Sequence, residues 1–143
     1  MLRMRARPRP PGMRGAETEA GPVLLVDPDP DCREIGTVLL RYFGYEVRAA
    51  ESFQEGVRLA RALRPRAVLS EVDHDPPGET LVERLKGDPA TAAIPVLVLS
   101  AHVLPEYRER ALAAGAAAFL AKPCDGEALR SVLAEVAGAP RPA

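Results

Sequence analysis

The chain alternates five times between a short apolar run of strand length and a longer segment with helical apolar spacing. Val23-Leu24-Leu25-Val26 is the first run and ends at Asp27. Tyr45 to Ala49 is the second, and Ala67-Val68-Leu69 the third, ending at Ser70-Glu71. Ile94-Pro95-Val96-Leu97-Val98-Leu99 is the fourth, ending at Ser100; Ala117 to Ala121 is the fifth and stops at Lys122-Pro123. A strand that is apolar on both faces must be covered on both, and strand–helix alternation achieves this with a parallel sheet. Right-handed crossovers of these lengths fit an open, doubly wound five-stranded sheet with helices on both faces. Closure into an eight-stranded barrel is excluded by size.

The helices carry their own punctuation. Asp29 can cap the first, Pro30 suits its opening turn and Asp31 favours the positive end of its dipole. Ile35, Val38, Leu39 and Tyr42 follow at i, i+3, i+4 and i+7, the spacing of an amphipathic helix with a core-facing stripe, and Gly44 ends it. Ser52-Phe53-Gln54-Glu55 is a capping box that opens a helix through Phe53, Val57, Ala60 and Leu63, closed by Pro65. A loop with Pro76, Pro77 and Gly78 leads to a short helix around Leu81, Val82 and Leu85. Pro105 starts a helix with Tyr107, Ala111 and Ala114 on one face. Asp125 caps the last, with Leu129, Val132, Leu133 and Val136 at helical spacing.

These signals divide the chain into a basic Arg/Pro-rich tail over residues 1–21, a domain over 22–137 and a short frayed end over 138–143. The tail holds five arginines against Glu17 and Glu19, a net of +3. The remainder then carries −4, since the whole chain is at −1. That balance gives no overall attraction to nucleic acid, and the tail reads as a solvated segment in preference to a polyanion-binding arm. No apolar stretch reaches the ~20 residues of a membrane span, and no secretory signal is visible, so a cytoplasmic protein is expected. Cys32 and Cys124 are too few for a disulfide scaffold and lack metal-ligand spacing. Against 17 arginines stand only two lysines, Lys86 and Lys122.

Ligands of an open parallel sheet bind at the carboxyl ends of its strands. Those ends supply Asp27, Glu71, Ser100 and Lys122: two acids, a hydroxyl and a cation on one rim. Each has a modest structural use, but charges facing a semi-enclosed crevice need compensation, which favours reading the four together.

With these residues in place, residues 22–137 resemble the receiver domains of bacterial two-component response regulators. Val23 to Asp27 is similar to the family's first strand with its acidic end. Ile94 to Ser100-Ala101 resembles the fourth, with its switch hydroxyl. Gly115 to Pro123 resembles the fifth, with the switch aromatic at Phe119 and the phosphate-site lysine at Lys122. The resemblance implies a flavodoxin-like fold with strand order 2-1-3-4-5 and a role in phosphorelay signal transduction. It also implies protein partners: a histidine kinase, or a downstream protein engaging the fourth and fifth helices with the fifth strand.

Typical receivers bind Mg²⁺ between paired acids after the first strand and an aspartate after the third, and that aspartate accepts the phosphoryl group. Here the second acid falls on Pro28, the acceptor position on Glu71, and the following loop is one residue shorter. Mg²⁺ demands near-octahedral oxygen ligation at ~2.0–2.1 Å, so weak Mg²⁺ binding, no dedicated metal site and no catalytic residue are expected. The chain is read as a degenerate stand-alone receiver that signals through protein contact; Glu71 can pair with Lys122, either in imitation of a phosphorylated aspartate or as an ordinary structural ion pair. Asp73 is an alternative occupant of the pocket through a register shift. His74 and His102 are read as solvated loop residues, and the two cysteines as incidental small side chains in preference to a redox pair. The competing reading is a Mg²⁺-dependent phosphatase of haloacid-dehalogenase type, with Asp27 as nucleophile and Asp29 as general acid/base.

Overall fold

A computed structural model describes residues 21–71, 79–101, 104–122 and 125–140. Five strands, β1 (Val23–Val26), β2 (Val47–Ala50), β3 (Ala67–Ser70), β4 (Val96–Ser100) and β5 (Ala118–Ala121), form one parallel sheet in the order β2-β1-β3-β4-β5. Five helices accompany them among the described residues: α1 (Pro30–Tyr42), α2 (Phe53–Leu63), α3 (Leu81–Lys86), α4 (Pro105–Ala113) and α5 (Gly126–Ala137). This is the flavodoxin-like doubly wound architecture that the alternation and the resemblance imply. The basic tail over residues 1–20, Asp73, His74, the Pro76-Pro77-Gly78 loop, His102 and Cys124 lie outside the described residues.

Three strands start later than the sequence suggests, β5 by a single residue, at Ala118. Pairing with β1 begins at Val23↔Val47, so Tyr45 precedes the ladder although it is buried. Pro95 has no N–H to donate, and β4 begins one residue after it.

Strand pleating sorts the apolar side chains into two cores. Leu24, Val26, Val68, Val96 and Val98 meet Val57 and Ala60 of α2, Leu81, Val82 and Leu85 of α3 and Ala111 of α4. Val23, Leu25, Leu69, Leu97 and Leu99 meet Leu40 of α1 and Leu129 and Leu133 of α5. The central strand β1 is fully buried along its length, as its apolar run requires. Helices from opposite sides press on it through glycines. A Cβ at Gly36 of α1 would come within 2.9 Å of Leu25, and one at Gly56 of α2 within 2.9 Å of Val26.

The apolar spacing of α1 is real but does not face the core. Leu40 is its buried residue, with Leu39 and Phe43 partly buried, whereas Ile35, Val38 and Tyr42 are 67%, 61% and 84% exposed. The helix is anchored by a different stripe from the one that its i, i+3, i+7 pattern suggests. At the start of the segment expected to fray, Tyr45 donates its hydroxyl to the Gly138 carbonyl at 2.9 Å, and Arg66 donates to the Gly138 and Ala139 carbonyls at 3.2 and 3.0 Å; residues 141–143 lie outside the described residues.

The second lysine has a structural task. Lys86 donates to the carbonyls of Ala92 (2.9 Å) and Ile94 (2.8 Å), which ties the loop before β4 to the end of α3. Burial of the amine lowers its pKa. Its stem also packs on Gly115, where φ is +110° and a Cβ would meet Lys86 Cγ at 3.2 Å.

Helices α3 and α4 are joined through Glu83. Thr80 and Glu83 form a reciprocal capping box at the start of α3. The same carboxylate accepts two hydrogen bonds from Arg110, at 2.8 Å from Nε and 2.9 Å from the terminal nitrogen. Arg110 and the Thr80 amide hold the Glu83 pKa down at about 2, against 4.5 for a free glutamate. A depressed carboxylate pKa contributes stability that is present above the unfolded value and lost as pH falls toward the folded one. The stability advantage of the native chain over Glu83→Gln should therefore be constant above pH 4.5 and shrink between pH 4.5 and about 2. Denaturant unfolding of the two chains across that range checks it.

Candidate functional site

The sheet ladder runs one residue beyond three of the strands and fixes the backbone of the rim. Asp27 donates its amide to the Ala50 carbonyl (3.0 Å), Glu71 to Val26 (2.8 Å) and Lys122 to Ser100 (2.8 Å). Adjacent strand ends thus carry Asp27 and Glu71 side by side. Asp27 is 2% exposed, Glu71 8% and Ser100 4%, so the rim is closed to water at these positions.

Lys122 Nζ lies 2.6 Å from Glu71 Oε1, a charge-assisted contact between β5 and β3 that passes over the end of β4. The other Glu71 oxygen leans under α1, where a Cβ at Gly36 would sit 3.8 Å from Oε2. Asp27 Oδ1 accepts the amide of Asp29 at 3.0 Å, while Asp27 Oδ2 is buried with no hydrogen-bond partner among the described residues. The side chain of Arg33 donates to the Asp27 carbonyl at 2.8 Å and approaches Glu51 at 3.8 Å. It fixes the start of α1 over the strand end. Sequence reasoning missed Arg33; its position one turn into a helix that begins at the rim was the available signal.

Two carboxyls share one ammonium, and the energetics follow. Burial raises the pKa of Glu71, and the neighbouring Asp27 raises it further; Lys122 opposes both without cancelling them. At Lys122, burial works against the ammonium, but the Glu71 hydrogen bond and charge, with the Asp27 charge behind them, leave its pKa raised. A protonated Glu71 would be a donor for the orphaned Asp27 Oδ2, so the pair of acids can be satisfied by a proton as well as by a cation.

Ser100 and Phe119 occupy the other side of the pleat. Ser100 follows Val96 and Val98 in alternation, and Phe119 is partly buried against the same α2–α3–α4 core. The register Val98↔Phe119 makes Ser100 and Phe119 diagonal neighbours on adjacent strands. The structure therefore gathers Asp27, Glu71 and Lys122 into direct contact, and sets Ser100 and Phe119 beside each other on the same edge.

Among the described residues no group of three or more His, Cys, Asp or Glu side chains is placed to hold a metal ion. Pro28 offers no side-chain ligand atom, and Glu71 Oε1 is in contact with an ammonium. Asp29 does not compensate, because its carboxylate caps α1 through the amides of Asp31 (2.9 Å) and Cys32 (3.4 Å). Those bonds, the one from the Cys32 amide foremost, lower its pKa. Cys32 is no activated thiol: burial, then the charges of Asp29 and Asp27, push its pKa up.

Comparison with known proteins is consistent along the whole domain. Residues 23–134 match the family described as response regulator receiver domain. The chain is 37% identical over 114 residues to a gliding motility regulatory protein of Myxococcus xanthus, covering 79% of this chain but 14% of that protein. It is 31% identical over 118 residues to Protein PilH of Pseudomonas aeruginosa, covering 81% of this chain and 98% of the relative. Among solved structures, a putative response regulator from Chloroflexus aurantiacus superposes with a TM-score of 0.74 at 30% identity, covering 82% of this chain and 97% of that one. A family match over most of the chain, a parallel sheet in the order β2-β1-β3-β4-β5 and an acid–ammonium cluster at its carboxyl edge converge on one conclusion: this chain belongs to the receiver-domain family of two-component response regulators.

Proposed function

We propose that this chain is an atypical receiver module, in which the Glu71–Lys122 ion pair takes the place of a phosphorylated aspartate and the signal is delivered by protein contact. The observation that carries the reading is the 2.6 Å contact between Lys122 Nζ and Glu71 Oε1 at a buried rim. Glutamate carries its charge one methylene further from the backbone than aspartate, and that reach closes the contact. A pair ~4 Å apart at an effective dielectric of ~20 has about 4 kcal/mol of attraction, offset in large part by desolvation. The pair links the ends of β5 and β3, and the diagonal Ser100–Phe119 neighbours lie on the other side of the pleat of β4 and β5. Partners for the face formed by α4, β5 and α5 are a histidine kinase or a downstream signalling protein.

Two departures support a module that does not run the usual phosphoryl cycle. The side-chain metal ligands are incomplete, and the carboxylate at the acceptor position is already engaged by the lysine that would contact its phosphoryl group. In-line transfer tolerates misplacement poorly: ~1 Å costs on the order of 10²-fold in rate. Incubation with acetyl phosphate and Mg²⁺ followed by intact-mass measurement should leave the mass unchanged. A stoichiometric adduct of about 80 Da, mapped to Glu71 or Asp73, would overturn the reading.

The ion pair also makes a spectroscopic prediction. Glu71→Asp withdraws the carboxylate by one methylene, and Glu71→Gln removes its charge. Both should shift the amide resonances of Ser100 and Phe119 and of the α4–β5–α5 face; a spectrum changed only around residue 71 would contradict the transmission. Stability carries the pH signature. A raised carboxylate pKa gives stability that is full below the unfolded value and lost as pH rises through the folded one. The stability of the native chain relative to Glu71→Gln should therefore fall as pH rises above 4.5, the reverse of the trend at Glu83.

A further inference from the structure

The exposed apolar stripe of α1 stands apart from the acidic rim and from the α4–β5–α5 face. Ile35, Val38 and Tyr42 are each more than half exposed. With Asp31, Glu34 and Leu39 they line a groove of about 740 Å³. Three large apolar side chains at helical spacing on one outward face are unusual in a chain with only six large exposed hydrophobics among its described residues.

The charges flanking the stripe say what covers it. At about 100° per residue, Asp31, Ile35, Val38 and Tyr42 fall within an arc of roughly 60°. Glu34 and Arg41 both lie on the same flank of that arc, roughly 20° apart in azimuth and about 10.5 Å apart along the axis. Both are exposed, and neither makes an ion pair among the described residues. A two-fold axis between antiparallel helices maps each flank onto itself and reverses the order along the helix. Glu34 of one copy then faces Arg41 of the other, twice over, with Val38 near the axis and Ile35 and Tyr42 interleaved on either side. Opposite charges two turns apart on one flank of an apolar stripe make a self-complementary surface. They would leave one charge unanswered against a partner of uniform sign.

We infer that the α1 face is an isologous homodimer interface, in which two copies of this chain pack α1 antiparallel through Ile35, Val38 and Tyr42 with reciprocal Glu34–Arg41 pairs. The surface is a single helix face, below the ~1,600 Å² of a standard interface, so association is weak and depends on concentration. The inference stands independently of how Glu71 and Lys122 are read.

Sedimentation equilibrium on the full chain from about 1 µM to about 1 mM, bracketing weak association, tests it. The expected result is a monomer–dimer equilibrium that Val38→Glu abolishes, since it sets two carboxylates against each other at the axis. Glu34→Arg should weaken it by at least about tenfold by opposing two arginine pairs. The double variant Glu34→Arg/Arg41→Glu should restore it to within about threefold of the native value, because the pairs re-form with their signs exchanged. All three positions are exposed, so unchanged far-UV circular dichroism separates lost association from lost folding. A chain monomeric throughout, a dimer indifferent to Val38→Glu, or a double variant no better than Glu34→Arg overturns the proposal. So does a dimer lost on deleting residues 1–20, which would give the groove to the chain's own arginine tail.

Discussion

Every strand of a parallel sheet ends on the same edge, so the polar residues that terminate them are forced into one another's company. In this chain two of those residues are carboxylates, Asp27 and Glu71, nearly closed to water, and the charge between them has to be answered. Lys122 answers it from the far side of β4. The ladder bonds that run past β1, β3 and β5 hold the backbone of all three, so the contact is a property of the sheet and not of a wandering side chain. The arrangement couples three strands and the start of α1, where Asp29 and Arg33 bind the Asp27 side chain and carbonyl.

The same cluster sets residues of this chain's own on the family's frame. Pro28 follows Asp27 without a side-chain ligand atom, and Glu71 reaches Lys122 directly. One Asp27 oxygen has no partner among the described residues, and burial together with the Asp27 charge raises the pKa of Glu71 beside it.

Much of this was legible in the residues. The apolar runs ending at Asp27, Glu71, Ser100 and Lys122 gave the sheet and its functional edge, because strand length and strand termination are local properties. The caps at Asp29, Ser52 and Asp125 were equally local. Less legible were matters that depend on which side of an element meets the sheet. In α1 the apolar positions are numerous enough to define two stripes, and the one with the cleaner spacing is turned outward while Leu40 anchors the helix. The tasks of Lys86 and Glu83 were not legible either. Their partners, the Ala92 and Ile94 carbonyls and Arg110, come from other elements, and only the fold brings them within reach.

The central claim is that Glu71, buried beside the Asp27 carboxylate, has a raised pKa that the Lys122 ammonium opposes. A carbon-detected NMR titration of the Glu71 side-chain carboxyl tests it most directly, in the native chain and in Lys122→Met. The account predicts a midpoint above the 4.5 of a free glutamate in the native chain, moving further upward when the ammonium is removed. A midpoint at or below 4.5, or one that ignores the loss of Lys122, would contradict it.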